Sequence, residues 1–434
     1  MEPNMRIHNK MKPVVFVDMF AGAGGLSEGL SMAGLVPALH VESNHSACLT
    51  LQSREIYRHL HAIGHITLWN NYLARSIERD ELLAKAGLDR NNSAVMCENI
   101  SEESESRIFD RIDRRLTDLG ASELDVLAGG PPCQPFSIIG RHCNGKKDDD
   151  DRLWLFRHFV HALEQYKPKC FMFENVPGLL SMKDGRFARE IAESFDNAGY
   201  NSVTDIVDAS NYGVLQHRRR LIIIGSRKDL QPDIQFPLKQ PGLALVGDLL
   251  SDLPPVAPGE DGSDKGYYGP PSAYLEKQGI RTDTDELSQH EARFQNERDR
   301  EIYRMVARLW LSKQERMRCN ALPVELRPQR SCECFRDRFK VVAPDLPASH
   351  TVIAHISKDG HYYIHPDITQ ARSLTVREAA RIQSFPDSYF FEGGRQAAFR
   401  QIGNAVPPLL AKAFGIVLRG YVEQANPTLV SIPA

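Results

Sequence analysis

A chain of 434 residues is longer than one hydrophobic core usually fills, so a main domain and a smaller one are expected. With 42% hydrophobic and 25% charged residues, its composition is that of a soluble globular protein, not a disordered or fibrous one. A net charge of −3 excludes a polycation, so any nucleic-acid contact has to come from a local patch.

The chain reads as alternating strands and helices. "PVVFVDMF" (13–20) is a short β-branched run, a buried strand by length and composition. "AGAGGLSEGLSMAG" (21–34) is a glycine loop entering a helix, and "VPALHVES" (36–43) is a second strand. Residues 54–92 separate this strand from the next by far more than the usual link, and are read as a helical insertion. "SAVMCENI" (93–100) is a third strand, and 106–120 carries Ile108, Ile112 and Leu116 at helical spacing. "LDVLAGG" (124–130) and "KCFMFENV" (169–176) are strands flanking a helix over 153–166. Two further strands follow at 200–210 and 220–227. Nearly all-apolar strands separated by helices predict an α/β fold, a doubly wound, mostly parallel sheet covered on both faces. Ligands bind such sheets beyond the carboxyl ends of the strands, where Asp18, Glu42, Asn99, Cys133 and Glu174 all fall.

After about residue 236 the chain turns rich in Pro, Gly and Asp, and 293–340 is arginine-rich with little apolar alternation. From about 350 strand and helix character returns. The expected organisation is a main domain over 1–238, a smaller domain over 239–348, and a return to the main domain over 349–434. The eight cysteines are sparse and irregular, unlike a disulfide framework. Cys332 and Cys334, with Cys319 nearby, lack the two-residue spacer and fourth ligand of a zinc site, so no metal is expected. The opening residues hold only a short apolar run, too short for a signal or a membrane span, so a cytoplasmic location is expected.

Four stretches carry chemistry. In "DMFAGAGGLSEGL", Gly22, Gly24 and Gly25 allow a tight turn and close approach of a ligand to a helix N-terminus. Glu42 ends the next strand, where a ribose-binding carboxylate belongs in this topology, so an adenosine-type cofactor is expected. In "GGPPCQPFS", Pro131 and Pro132 fix two φ angles and present Cys133 rigidly, as suits a reactive thiol better than a core one. In "FENVPG", Glu174 ends the strand next to the one leading to Cys133, placing a carboxylate beside the thiol. In "QHRRRLIIIG", Arg218 and Arg220 point the same way if extended, and would suit an anionic partner.

These stretches, followed by "RSLTVREAARIQSFPD" and "QIGNAVPP", in this order, resemble the blocks of DNA (cytosine-5) methyltransferases of the bacterial restriction–modification type. The resemblance covers most of the chain apart from the insertion and the variable middle. It implies the S-adenosylmethionine-dependent methyltransferase fold with an inserted target-recognition domain. It implies Cys133 as nucleophile, Glu174 as the carboxylate that engages cytosine, and Arg218 and Arg220 as the arginines that orient base and glutamate. Phe20, Ala21, Gly22, Gly24, Gly25, Leu26, Glu42, Asn99, Ile100, Pro132, Asn404 and Ala405 match the contacts to S-adenosyl-L-methionine. Gln134, Ser137, Gln216 and Thr351 match DNA-contacting positions. The implied reaction adds the thiolate to C6 of a cytosine flipped out of double-stranded DNA and methylates C5. The implied partners are DNA and a paired restriction endonuclease, with the enzyme a monomer and no membrane involved.

One position departs from the family, which has an aspartate at the end of the third strand. Asn99 is the nearest match and keeps an acceptor oxygen, with Glu98 the alternative. An amino-directed methyltransferase is disfavoured because Cys133, not an aromatic residue, follows Pro131-Pro132. A tRNA cytosine methyltransferase would carry Cys-Phe-Thr, where this chain has only Cys334-Phe335-Arg336. A catalytically dead regulator would lack the thiol or the glutamate, and both are present. Within 302–340, ten basic residues (Arg304, Arg308, Lys313, Arg316, Arg318, Arg327, Arg330, Arg336, Arg338, Lys340) face four acids (Glu315, Glu325, Glu333, Asp337), an excess that suits phosphates.

Overall fold

The computed structural model of the protein describes residues 12–88, 92–132, 154–327 and 337–425. Its centre is a seven-stranded sheet in the order β3-β2-β1-β4-β5-β7-β6. The strands are β1 (Val15–Met19), β2 (Val36–Glu42), β3 (Val95–Cys97), β4 (Val126–Gly129), β5 (Cys170–Asn175), β6 (Tyr200–Asp208) and β7 (Arg219–Arg227). β1 pairs in parallel with both β2 and β4, so the strand order reverses there and opens a crevice at the carboxyl edge.

Alternation along each strand fills two cores. Phe16, Ala128, Met172 and Ile224 face one layer, while Val17, Leu127, Phe171 and Ile223 face the other. The helices are α1 (Gly25–Met32), α2 (His45–Ala62), α3 (Ile66–Leu73), α4 (Arg79–Ala86), α5 (Glu102–Asp118), α6 (Phe156–Tyr166), α7 (Arg186–Asn197), α8 (Ala273–Gln278), α9 (Glu297–Lys313), α10 (Val376–Ile382), α11 (Arg395–Asn404) and α12 (Pro408–Ala425). Residues of α1 and α12 cover the first layer, and those of α5, α6 and α7 cover the second.

The sheet is mostly parallel, as expected, and one strand runs against the others. β7 is antiparallel to both β5 and β6. The link 209–218 is too short for the helical crossover that a parallel neighbour requires, so β6 and β7 form a hairpin-like pair.

The helical stretch between β2 and β3 starts earlier than 54, because α2 begins at His45 with the Asn44 side chain capping Ala47 N at 3.1 Å. Ile56, Leu60, Trp69, Leu73 and Leu82 give α2–α4 a cluster of their own. Glu392 fastens that cluster to the rest of the protein, accepting from Arg79 at 2.7 Å and Tyr72 at 2.8 Å.

Beyond β7, Val246, Leu249, Leu275 and Ile280 join the first core layer. A separate cluster holds Ile302, Val306, Trp310, Met317, Phe339 and Ile364. Its helix, α9, was not expected within the arginine-rich stretch. Ile302, Tyr303, Val306 and Trp310 form its buried stripe, masked in the sequence by the charges between them. Among the described residues no single helix is long and apolar enough to cross a membrane. The bent pair α11–α12 passes that test only jointly, and its Phe399, Leu410 and Phe414 are core residues.

Candidate active site at the carboxyl edge of the sheet

β1 ends in a turn whose first residue, Phe20, has φ 63°, and the chain then enters the glycine loop. Gly25 begins α1 where no side chain fits, since a Cβ there would lie 2.2 Å from the Val406 carbonyl oxygen and 3.1 Å from the Ala405 Cβ. The return segment 404–406 therefore closes directly on the loop, bringing Asn404 and Ala405 beside residues some 380 positions earlier in the chain. Glu42 stands on the other side, accepting from Gly22 N at 2.8 Å and from Asn44 N at 2.7 Å. Asn99 is exposed just past β3, and Ile100 is buried behind it. Glu98 pairs with Arg107 at 3.3 Å. Ala21 and Leu26 are buried, with Leu26 directed into the first core layer, so Leu26 can meet a cofactor only through its backbone.

Asp18 falls near the end of β1, and its residue type alone implies no role there. It is 1% exposed. Its Oδ2 accepts from the Ser27 hydroxyl, which also lies 3.0 Å from His40 Nδ1, while Oδ1 has no hydrogen-bond partner among the described residues. Burial pushes the Asp18 carboxyl up to about 7 against the Ser27 hydrogen bond, and the charges of Glu42 and Glu174 add to the rise. Burial and the arginines Arg58 and Arg115 lower His40 to about 3, so it is neutral.

The second half of the site is built from β4, β5 and β7. The "GGPP" turn runs alongside the end of β5, and a Cβ on Gly130 would lie 2.8 Å from Glu174 Oε2. Asn175 Nδ2 donates to the Pro131 carbonyl at 3.3 Å and ties the two strand ends together. Arg220 Nε meets Glu174 Oε1 at 2.7 Å. Burial raises the Glu174 carboxyl above its ordinary value, with Arg220 and Arg218 pulling it back. A carboxyl that burial makes readier to hold a proton, facing the loop that leads to the thiol, can hydrogen-bond a heterocyclic nitrogen. Pro132 is exposed at the end of the described turn. Cys133, Gln134 and Ser137 lie outside the described residues.

Arg218 has a different task from Arg220. It is fully buried, donating to the carbonyls of Val352 at 2.6 Å, Gly403 at 2.9 Å and Ala405 at 2.8 Å. Gln216 is also fully buried. It donates to the Ile382 carbonyl at 3.0 Å and accepts from Val352 N at 2.9 Å. Its amide joins three segments of the protein. Thr351, partly buried, donates to the His217 carbonyl at 2.5 Å. The block 372–387 supplies a buried framework: Arg372 pairs with Glu378 at 2.7 Å and Arg381 with Asp387 at 2.6 Å. Only buried polar partners reveal these roles, and an isolated sequence does not show partners.

Sheet, glycine loop and acidic strand ends define an α/β fold with a site for an adenosine-type cofactor at the carboxyl edge. A model of the C-5 cytosine-specific DNA methylase family matches residues 76–418. The chain is 36% identical over 456 aligned residues to the type II methyltransferase M.Bpa9945I of Bacillus paralicheniformis, covering 95% of this chain and 99% of that one. It is 33% identical to the type II methyltransferase M.XorII of Xanthomonas oryzae pv. oryzae, over 92% of this chain and 83% of that one. A solved structure described as a putative DNA modification methyltransferase encoded within an E. coli prophage shares the fold. Its TM-score is 0.60 at 23% identity, covering 94% of this chain and 99% of that one. The chain belongs to the C-5 cytosine-specific DNA methylase family. It is a DNA (cytosine-5)-methyltransferase that uses S-adenosylmethionine, and both bacterial relatives named above are type II methyltransferases.

Proposed function

We propose that the carboxyl edge methylates cytosine through a covalent adduct between Cys133 and C6 of a base extruded from double-stranded DNA. The observation that carries this reading is the pairing of Glu174 with Arg220 at 2.7 Å beside the Gly130–Pro131 turn. That turn delivers Cys133 two residues later. Addition of the thiolate at C6, with Glu174 donating a hydrogen bond at N3, makes C5 enamine-like and nucleophilic. Loss of the C5 proton and elimination then release Cys133. Extruding the base costs roughly a few kcal/mol, offset by contacts in the pocket.

The residues present fit the cofactor. S-adenosylmethionine, when bound, supplies an electrophilic methyl group. Glu42 would hold the ribose hydroxyls, and Phe20, Asn99 and Ile100 the adenine, while Asn404 and Ala405 would close the far side. The unpartnered, buried Oδ1 of Asp18 beside the glycine loop suits a cationic ligand. Space around Gly22, where a Cβ would meet nothing within 4 Å, leaves room for the ligand's approach.

The smaller unit over 239–348 chooses the target sequence in this reading. Arg308, Lys313, Arg316 and Arg318 are exposed there, as phosphate-contacting groups must be. The enzyme acts as a monomer in the cytoplasm, where its DNA is, opposite a restriction endonuclease of the same specificity.

The test is a trap. DNA carrying 5-fluorocytosine at the target site should form a stable adduct with the protein through Cys133, mapped by peptide mass spectrometry. Cys133→Ala should bind cofactor and DNA without forming it. Mapping of the adduct to any other residue overturns the mechanism.

A further inference from the structure

Beyond methyl transfer, we propose that Glu105, His158 and His161 form a binding site for a zinc-class divalent cation, a clamp between α5 and α6. The sequence gives no hint of it, because Glu105 lies some 50 residues from the two histidines and only the sheet crossover brings them together. "HFVH" on α6 places His158 and His161 three residues apart, hence on one helical face. Glu105 projects toward that face from the first turn of α5.

The geometry is that of ligands around a shared centre. His158 Nδ1 lies 3.0 Å from Glu105 Oε1, and His161 Nδ1 lies 3.1 Å from the same oxygen and 3.3 Å from Oε2. One ligand atom from each residue lies within 4.8 Å of the others. Tetrahedral zinc with bonds of about 2.1 Å sets its donors about 3.4 Å apart, close to these separations. A neutral imidazole carries one N–H, so hydrogen bonding alone would require both rings to place their proton on Nδ1, toward one carboxylate. A cation instead takes the Nδ1 lone pairs of both rings and the carboxylate charge together. Two imidazoles and a carboxylate with an open fourth position are a donor set that zinc takes, and one that neighbouring first-row divalent ions such as Co(II) and Fe(II) also accept.

The site is also preorganised by contacts that do not involve its ligands. Tyr166 donates to the Phe109 carbonyl at 3.0 Å, and the Phe109 and Tyr166 rings meet edge to face at 5.5 Å, setting the spacing of α5 and α6. His158 is buried and thereby oriented, whereas the half-exposed His161 side chain leaves an entry path and a position for water as fourth ligand. The clamp would act on stability. α6 opens just after residues 133–153 and leads into β5, which ends at Glu174. Fastening α6 to α5 therefore holds the element that connects the thiol-bearing segment to the catalytic carboxylate.

The experiment uses the full-length protein, stripped with a chelator and titrated with Co(II) and Zn(II) without DNA or cofactor. Expected are visible Co(II) absorption bands saturating near one equivalent and a rise in thermal midpoint that grows with Zn(II) concentration. His161→Ala, at the half-exposed ligand, and Glu105→Gln should keep the metal-free midpoint. They should weaken cobalt binding by more than about tenfold, the lower end of what losing even an outer-shell partner costs a metal site. Absence of cobalt binding overturns the proposal. Binding that is indifferent to His161→Ala also overturns it, with or without the thiolate bands that cysteine ligation would add.

Discussion

Arg220 Nε and Glu174 Oε1 meet at 2.7 Å across the antiparallel pair β5–β7, at the edge where the "GGPP" turn leaves the sheet. Arg220 is the nearest cation opposing the effect of burial on Glu174. Arg220→Leu removes it, so the Glu174 carboxyl should titrate still higher. The limb of the pH–rate profile belonging to Glu174 should move to higher pH, and kcat should fall by about a hundredfold as the carboxyl loses its orientation. An unchanged profile in Arg220→Leu would show that another group sets that limb.

Arg218 should behave oppositely, although it stands only two positions away. Arg218→Ala leaves the carbonyls of Val352, Gly403 and Ala405 without their buried donor. At about 1–3 kcal/mol for each unsatisfied group, the loss of stability should reach about 3 kcal/mol or more. Lysine, a single ammonium on a flexible stem, should not restore it. Urea denaturation reads this directly. A variant as stable as the parent, with only its turnover reduced, would make Arg218 a catalytic group and not the structural one described.

Asp18 makes stability depend on pH. Its carboxyl titrates near about 7 in the folded protein and at 3.8 in its ordinary state, so the folded protein holds the extra proton between those values. The unfolded chain binds fewer protons there, and stability should therefore fall as pH rises through that window. The slope should be on the order of 1 kcal/mol per pH unit, and Asp18→Asn should remove it. Denaturation of both proteins at about pH 5 and about pH 8 distinguishes them, and parallel curves would mean that Asp18 is not the group concerned.

Exchange of residues 239–348 for the matching segment of a relative with a different target should transfer that relative's specificity. Single substitutions within it should fall into two classes. Loss of an exposed arginine such as Arg316 should weaken binding to all DNA and flatten its salt dependence. Loss of a base-reading side chain should relax one position of the target by about 1–3 kcal/mol. Bisulfite sequencing of DNA from a host expressing the chimera gives the answer. An active chimera that still methylates the original sequence would place recognition elsewhere.

Much of the architecture was legible in the residue order alone. Short apolar runs separated by helical stretches predicted the inner strands of the sheet, because strands buried on both faces must be apolar along most of their length. The motifs marked the strand ends at Asp18, Glu42 and Glu174, because glycines, prolines and acids at those points have few other uses. What stayed hidden depended on neighbours distant in the chain. α9 was obscured because its buried stripe is set among exposed charges, and only the packing of Trp310 against Phe339 and Ile364 distinguishes the two faces. Which strand of the mostly parallel sheet runs antiparallel was not legible, since direction is set by the length of the preceding link and not by strand composition. Arg218 and Arg220, and Gln216 beside them, look alike as a basic strand entry. The tertiary structure sends Arg220 to Glu174, and buries Arg218 and Gln216 among the carbonyls and amides of the returning chain. Residue types determine which chemistry is available, but the burial of a polar group and the partner it finds are properties of the folded chain, where desolvation gives each unpaired atom a cost.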